Sequence, residues 1–296
     1  MESASIEKGL EKILNRHGYG FHYSVLRLAH ELSEENKTGW VFKAAEFPVQ
    51  VPGGPGTRID FVLQFRHCPI YLLGECKRAN PALRNWCFVR APYVRRNRNE
   101  YEPLFVERVV LDPDGTISAS ARSEWGHSDF HNQAYHIARE VKSQEKGDPY
   151  GSGRGAIEAA ATQVCRALNG MVHFVANNPQ VLNDSGPAYF LPVVFTTARV
   201  WASNVDLGEA DLLTGTIDLE GTSTEQRDWV YYQYHLSPGI KHRHPPTGRP
   251  INIEGLLDTE YIRTIPIVSA SGVRSFFTGL DWLPRYLEPG HYPGWP

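Results

Sequence analysis

The stretch RIDFVLQFRHCPIYLLGECK, residues 58–77, decides how the chain is read. It holds two apolar runs, 58–65 and 70–77, separated by Arg66, His67, Cys68 and Pro69. Short runs rich in β-branched and aromatic residues around a tight connection predict an antiparallel hairpin. With 66–69 as the connection, Asp60 faces Glu75 and Arg58 faces Lys77. Directly opposed side chains in such a ladder have Cβ atoms about 4.5–5.5 Å apart. Side chains alternate along a strand, so Glu75 and Lys77 share a face and Asp60 joins it across the ladder. The other face, Ile59, Phe61, Leu63 and Phe65 against Cys76, Gly74, Leu72 and Ile70, reads as core.

A Glu-x-Lys triplet alone carries little information. The chain has three, Glu35–Lys37, Glu75–Lys77 and Glu140–Lys142, and only the middle one ends an apolar strand that follows another strand bearing an Asp. Two carboxylates this close repel unless one is protonated or a cation lies between them. A hard divalent cation fits, because Mg²⁺ is held by one or two carboxylates plus phosphate oxygens. A neighbouring Lys can orient an attacking water and offset charge on a phosphate. The chemistry expected is metal-assisted phosphodiester hydrolysis, against the plainer reading of a surface hairpin with a Lys–Glu pair.

Outward from the hairpin, helical spacing predicts helices over 3–16 and 22–36, separated by Gly18 and Gly20. A strand is expected over 40–51 before the PGGPG turn at 52–56. Residues 78–154 read as a polar insertion with a hairpin around DPDG (112–115) and a helix near 129–145. A long helix follows over 156–176, with Ile157, Ala160, Ala161, Val164, Leu168, Met171, Val172 and Val175 as its buried face. Strands are expected at 188–201 and 229–236. This order predicts one α/β domain over 1–296, a central mixed β-sheet flanked by helices, with a large insertion after the hairpin and a C-terminal extension over 202–296.

The hairpin resembles the PD-(D/E)XK nuclease superfamily, the restriction-endonuclease-like fold, through Ile59-Asp60 and Glu75-Cys76-Lys77. Ile59 stands where the nominal Pro of that motif would be. The resemblance spans roughly 22–77 and 156–200 and leaves the insertion unmatched. It implies that Asp60, Glu75 and the backbone carbonyl of Cys76 ligate Mg²⁺, with Mn²⁺ as a substitute, and that Lys77 assists the attacking water. It also implies a further acidic residue ahead of the Asp strand, for which Glu46 is the first choice and Glu31 and Glu34 are alternatives. A Gln on the following helix is a recurrent feature of several branches. Here Gln163 is the single Gln in a stripe of small residues, Ala156, Ala159, Ala167 and Gly170. The implied activity is a DNA endonuclease used in defence against foreign DNA or in DNA processing.

From Lys77 to Arg98 the chain carries seven basic residues (Lys77, Arg78, Arg84, Arg90, Arg95, Arg96 and Arg98) and no acidic one, interleaved with Trp86, Phe88 and Tyr93. Basic residues supply affinity for a phosphate backbone and aromatic rings can stack on exposed bases. The net charge of -3 (30 Lys plus Arg, 33 Asp plus Glu) argues against a nucleic-acid coat protein but not against a nuclease with a local basic segment. Hydrophobic residues at 41% and charged residues at 21% exclude global disorder. There is no apolar run of membrane-spanning length and no secretory signal, so a cytoplasmic protein is expected. The four cysteines, Cys68, Cys76, Cys87 and Cys165, form no CxxC pair and read as reduced thiols. His127, His131 and His136, and His242 with His244, lack the partners of a zinc site. The loop GDPYGSGRG (147–155) lacks the Lys-Ser/Thr of a phosphate-binding P-loop, and no GxSxG is present. The expected partner is DNA, with RNA left open, and duplex cutting by a one-site enzyme favours a homodimer. A catalytically silent nucleic-acid-binding protein on the same fold is the principal alternative, and an unrelated hydrolase is the third.

Overall fold

The structure is a computed structural model that describes residues 2–51, 53–66, 68–91, 104–111, 117–124, 134–142, 155–178, 187–236, 262–283 and 287. Helices α1 (Glu2–His17) and α2 (Tyr19–Glu34) precede β1 (Trp40–Val49), β2 (Thr57–Phe65) and β3 (Ile70–Lys77). Next come β4 (Asn85–Val89), β5 (Leu104–Leu111), β6 (Ile117–Glu124), β7 (Ala134–Tyr135) and β8 (Ile137–Val141). Helix α3 (Ala156–Asn177) leads to β9 (Ala188–Thr196), β10 (Arg199–Ser203), β11 (Thr224–Arg227), β12 (Trp229–His235), β13 (Ile262–Ser269) and α4 (Val273–Gly279).

The main sheet is mixed, in the order β1-β2-β3-β9-β13-β12-β7, with β5 pairing β9 and β6 pairing β5. A second sheet runs β11-β10-β4-β8. The protein is therefore α/β, a mixed sheet flanked by helices. Strand β9, AYFLPVVFT, is buried at every position, as a strand covered on both faces must be. On one edge it pairs β3 throughout; on the other it pairs β5 at 188–190 and β13 at 194–196. The change of partner falls at Pro192, which has no N–H to give a ladder.

Helices α2 and α4 cover one face, where Val25, Ala29 and Leu32 meet Phe61, Leu63, Phe195, Phe276 and Phe277. Helix α3 covers the other, laying Ala167, Leu168, Met171 and Val175 on Ile59, Val62 and Leu73. The small stripe on α3 lets the helix close on the sheet at one end: a Cβ at Gly170 would stand 2.5 Å from Val49. At the other end, Ala159 is exposed rather than packed.

Several expectations change. The segment 134–141, expected within a helix near 129–145, forms β7 and β8 instead. Pairing of β8 with β4 and of β7 with β12 overrides the local pattern. The strand expected over 188–201 is two strands, broken at Thr197 and Ala198. On either side of DPDG, β5 and β6 pair antiparallel with Leu111 opposite Ile117, and the turn at 112–115 lies outside the described residues. The segment read as an insertion supplies strands to both sheets, and β13, from the segment read as an extension, lies between β9 and β12. The apolar stripe of α1, Ile6, Leu10, Ile13 and Leu14, is exposed among the described residues. All four cysteines are free. Among the described residues no helix is long and apolar enough to cross a membrane.

Candidate functional site

The hairpin register is the one the sequence dictates: Gln64 opposes Tyr71, Leu63 opposes Leu72, Val62 opposes Leu73 and Phe61 opposes Gly74. Gly74 is required at its rung, because a Cβ there would lie 2.2 Å from the Phe61 ring. Past that rung the backbone ladder stops, and neither the Asp60–Glu75 nor the Arg58–Lys77 pairing forms. Instead the Asp60 side chain accepts the backbone N–H of Cys76 through Oδ2 at 2.7 Å. Strand β3 keeps its pairing with β9 to the end, with Glu75 beside Val194 and Lys77 beside Thr196. The motif residues thus stand where β3 is held by β9 while β2 departs, and a carboxylate replaces a backbone acceptor.

Glu75 is 1% exposed, and Lys77 Nζ stands 2.5 Å from its Oε1. The same Nζ donates to Gln163 Oε1 at 3.0 Å, which ties the helix to the motif through the Lys. Burial, then the Asp60 charge, pushes the Glu75 carboxyl up to about 8, against the pull of Lys77. Burial also raises Asp60, opposed by the Cys76 N–H and by His22 and Lys77. The Cys76 thiol is raised well above its usual range, first by burial and then by Asp60 and Glu75, which leaves its carbonyl as the group suited to a hard cation.

Glu46 falls on the rung between Ala45–Phe61 and Phe47–Ile59, level with Asp60. It has φ 51°, a left-handed backbone rare for a non-glycine residue inside a strand, and strain of that kind concentrates at functional sites. Its carboxylate lies 3.8 Å from His22 Nδ1 and 3.9 Å from Arg58. Its charge reaches both Asp60 and Glu75. The alternatives diverge from the site: Glu31 pairs with Arg27 on the exposed surface of α2, and Glu34 makes no contact with the hairpin carboxylates.

His22 is the group that sequence reasoning missed. It is 4% exposed, stacks on Phe61 at 5.8 Å, lies against Glu46, and its Nε2 has no hydrogen-bond partner. The signal was a His on the stripe His22, Val25, Ala29, Leu32, which is the buried face of α2.

The Asp60 and Glu75 carboxyls, which feel each other's charge, and the Cys76 backbone carbonyl are hard oxygen donors, of the kind that Mg²⁺ takes rather than a soft metal. Among the described residues no three His, Cys, Asp or Glu side chains stand close enough to make a ligand cage. A two-carboxylate site of this kind needs phosphate oxygens and water to complete it.

The basic window is partly placed. Arg78 and Arg84 are exposed and Arg90 is half-buried; Arg95, Arg96, Arg98 and Tyr93 lie outside the described residues. Arg78 binds the Asn15 carbonyl at 2.5 Å and lines, with Lys8 and Lys12 of α1, a concave surface of about 530 Å³ that the sequence did not foresee. Trp86 and Phe88 cannot stack on bases, because both are 0% exposed and pack toward α3. They are the inward-facing residues of β4, paired on both edges by β10 and β8. Of the two remaining Glu-x-Lys triplets, Glu35–Lys37 is an exposed pair and Glu140 accepts the Ala156 N–H at the start of α3. No family model matches the chain, and neither does any curated protein or any solved structure.

Proposed function

We propose that the chain is a Mg²⁺-dependent DNA nuclease of restriction-endonuclease-like fold, acting in defence or DNA processing. The observation that carries the proposal is that Lys77 joins Glu75 to Gln163 at one end of a buried hairpin, while Asp60 holds the backbone N–H of the residue between Glu75 and Lys77. Asp60, Glu75 and the Cys76 carbonyl would hold the cation, with Glu46 near enough to add negative charge. When bound, the cation would polarise the scissile phosphate and activate water. Asp60 is fixed by the Cys76 N–H, so its free oxygen keeps one orientation. Lys77, tethered between Glu75 and Gln163, presents its ammonium hydrogens to a non-bridging phosphate oxygen and offsets the charge that grows there. The Gln163 amide nitrogen is left to orient the attacking water. Arg78, Arg84 and Arg90, with the further arginines at 95, 96 and 98, supply backbone affinity. A homodimer would place two such sites on a duplex.

The test is incubation of the full chain with supercoiled plasmid, linear duplex and single strands in Mg²⁺, Mn²⁺ or EDTA. Metal-dependent cutting that disappears in Asp60→Ala and Lys77→Ala is expected. DNA that is shifted but uncut under every condition would overturn the reading in favour of a binding protein.

A further inference from the structure

We infer that the tip of the loop 204–224 docks into the hollow between α1 and Arg78 of a second copy of this chain. The contact stands on its own geometry and does not depend on the nuclease reading. Among the described residues the two most exposed large apolar side chains are neighbours, Leu212 at 97% and Leu213 at 94%, with Leu219 at 59% on the same loop. Single apolar residues scattered on a surface are ordinary; a cluster of them rimmed by polar residues marks an interaction site.

The tip is built rather than slack. Asp211 Oδ1 accepts the backbone N–H groups of Leu213 at 3.0 Å and Thr214 at 2.7 Å, and the Thr214 hydroxyl at 2.8 Å. The Asp211 N–H donates to the Thr216 carbonyl and the Gly215 N–H to the Asp211 carbonyl, both at 2.8 Å. A tip held this way loses little freedom on binding.

Charge selects what the tip meets. Residues 204–224 carry Asp206, Glu209, Asp211, Asp218 and Glu220, all exposed, and no basic residue. Two such tips repel each other. The apolar stripe of α1, Ile6, Leu10, Ile13 and Leu14, is edged by the exposed Glu7 and Glu11 and repels the tip as well. The opposite side of α1 differs. Lys8 and Lys12, one turn apart, line a hollow of about 530 Å³ with Glu11, Asn15 and Arg78, three cations against one carboxylate. Arg78 donates to the Asn15 carbonyl at 2.5 Å, which ties the last turn of α1 beside the end of β3 and sets the hollow along the turns before it. Lys and Arg stems are apolar up to their charged ends. The hollow therefore offers methylene walls to the leucines and cationic ends to the carboxylates around them. A convex, acidic, apolar-tipped loop and a concave, basic hollow lie on one chain, so each copy brings both halves of the contact. Such a contact between two different patches is heterologous. It also brings the second copy to Arg78, the residue after Lys77.

The experiment is sedimentation velocity of the full chain in EDTA without DNA, over a concentration series in the micromolar range, because an interface this small belongs to the weak class. The parent should associate as concentration rises. Leu212→Ser with Leu213→Ser, and separately Lys8→Glu with Lys12→Glu, should each weaken association roughly tenfold or more. Mixed in equal amounts, the two variants should recover a dimer, because one keeps its hollow and the other its loop; a variant that had lost its fold could not do this. A parent that stays monomeric throughout, either variant associating like the parent, or a mixture that stays monomeric would overturn the inference. Association lost only in Leu10→Ser with Ile13→Ser would assign the contact to the α1 stripe and overturn it too.

Discussion

Glu75 is a carboxylate that the fold keeps at a cost. An acid whose folded pKa is raised binds its proton more tightly folded than unfolded, so its stabilising influence is complete below the unfolded value near 4.5. It is lost as pH rises through about 8. Without divalent metal, thermal stability should therefore fall between about pH 5 and pH 8. Replacing the ionisable group removes that penalty: Glu75→Gln should melt roughly 3–6 °C higher than the parent at pH 8 in EDTA, and close to it at pH 5. The same variant should not cut DNA. A cation between the carboxylates favours their charged forms, so Mg²⁺ at pH 8 should raise the parent's melting temperature and leave that of Glu75→Gln unmoved. A scanning calorimetry series over pH, with and without Mg²⁺, checks all three outcomes. A variant that is more stable but inactive would mark Glu75 as a residue retained for chemistry and not for folding.

At the scale of elements, the hairpin depends on the contact between Gly74 and Phe61. Gly74→Ala should destabilise by roughly 1–3 kcal/mol, read as a lower urea midpoint at unchanged slope. Phe61→Leu in the same chain should recover part of the loss, because it withdraws the ring that the new methyl strikes. The hairpin was legible from sequence because alternation and a short connection leave one register. Helix α3 was legible too, because its apolar stripe spans six turns with Gln163 as the odd polar residue on the sheet side. The pair β7–β8 was not, because AYHIAREV serves helix and strand alike and β4 decides between them. Strand β13, IRTIPIVS, hides an Arg, a Thr and a Pro in a position buried throughout. Its neighbours and a buried Glu107–Arg263 ion pair at 3.6 Å hold it there, and neither can be seen locally. In the site itself, Asp60, Glu75 and Lys77 could be read from the hairpin spacing, and Gln163 from the resemblance that pointed to a Gln on α3. The approach of His22 and the left-handed turn at Glu46 could not, because both come from α2 and β1 packing across a sheet.

For the whole molecule, charge distribution matters more than the net -3. Arg78 and Arg84 are exposed near the motif, and their replacement by Ala should flatten the salt dependence of DNA binding by about one logarithmic unit per lost phosphate contact. A slope identical to the parent's in a salt titration would separate these residues from the DNA path. The chain should also unfold in one step, because segments far apart in sequence share one sheet, and deleting residues 237–296 should abolish cooperative melting rather than trim a tail. Strand β13 has a consequence for how the protein is made. Its partners β9 and β12 are both synthesised before it, so a nascent chain carries the β2–β3 hairpin out of the ribosome long before the middle of the sheet can close. The motif emerges early and pairs with β9 along its length, but the far edge of β9 at Val194–Thr196 stays open until β13 has been made.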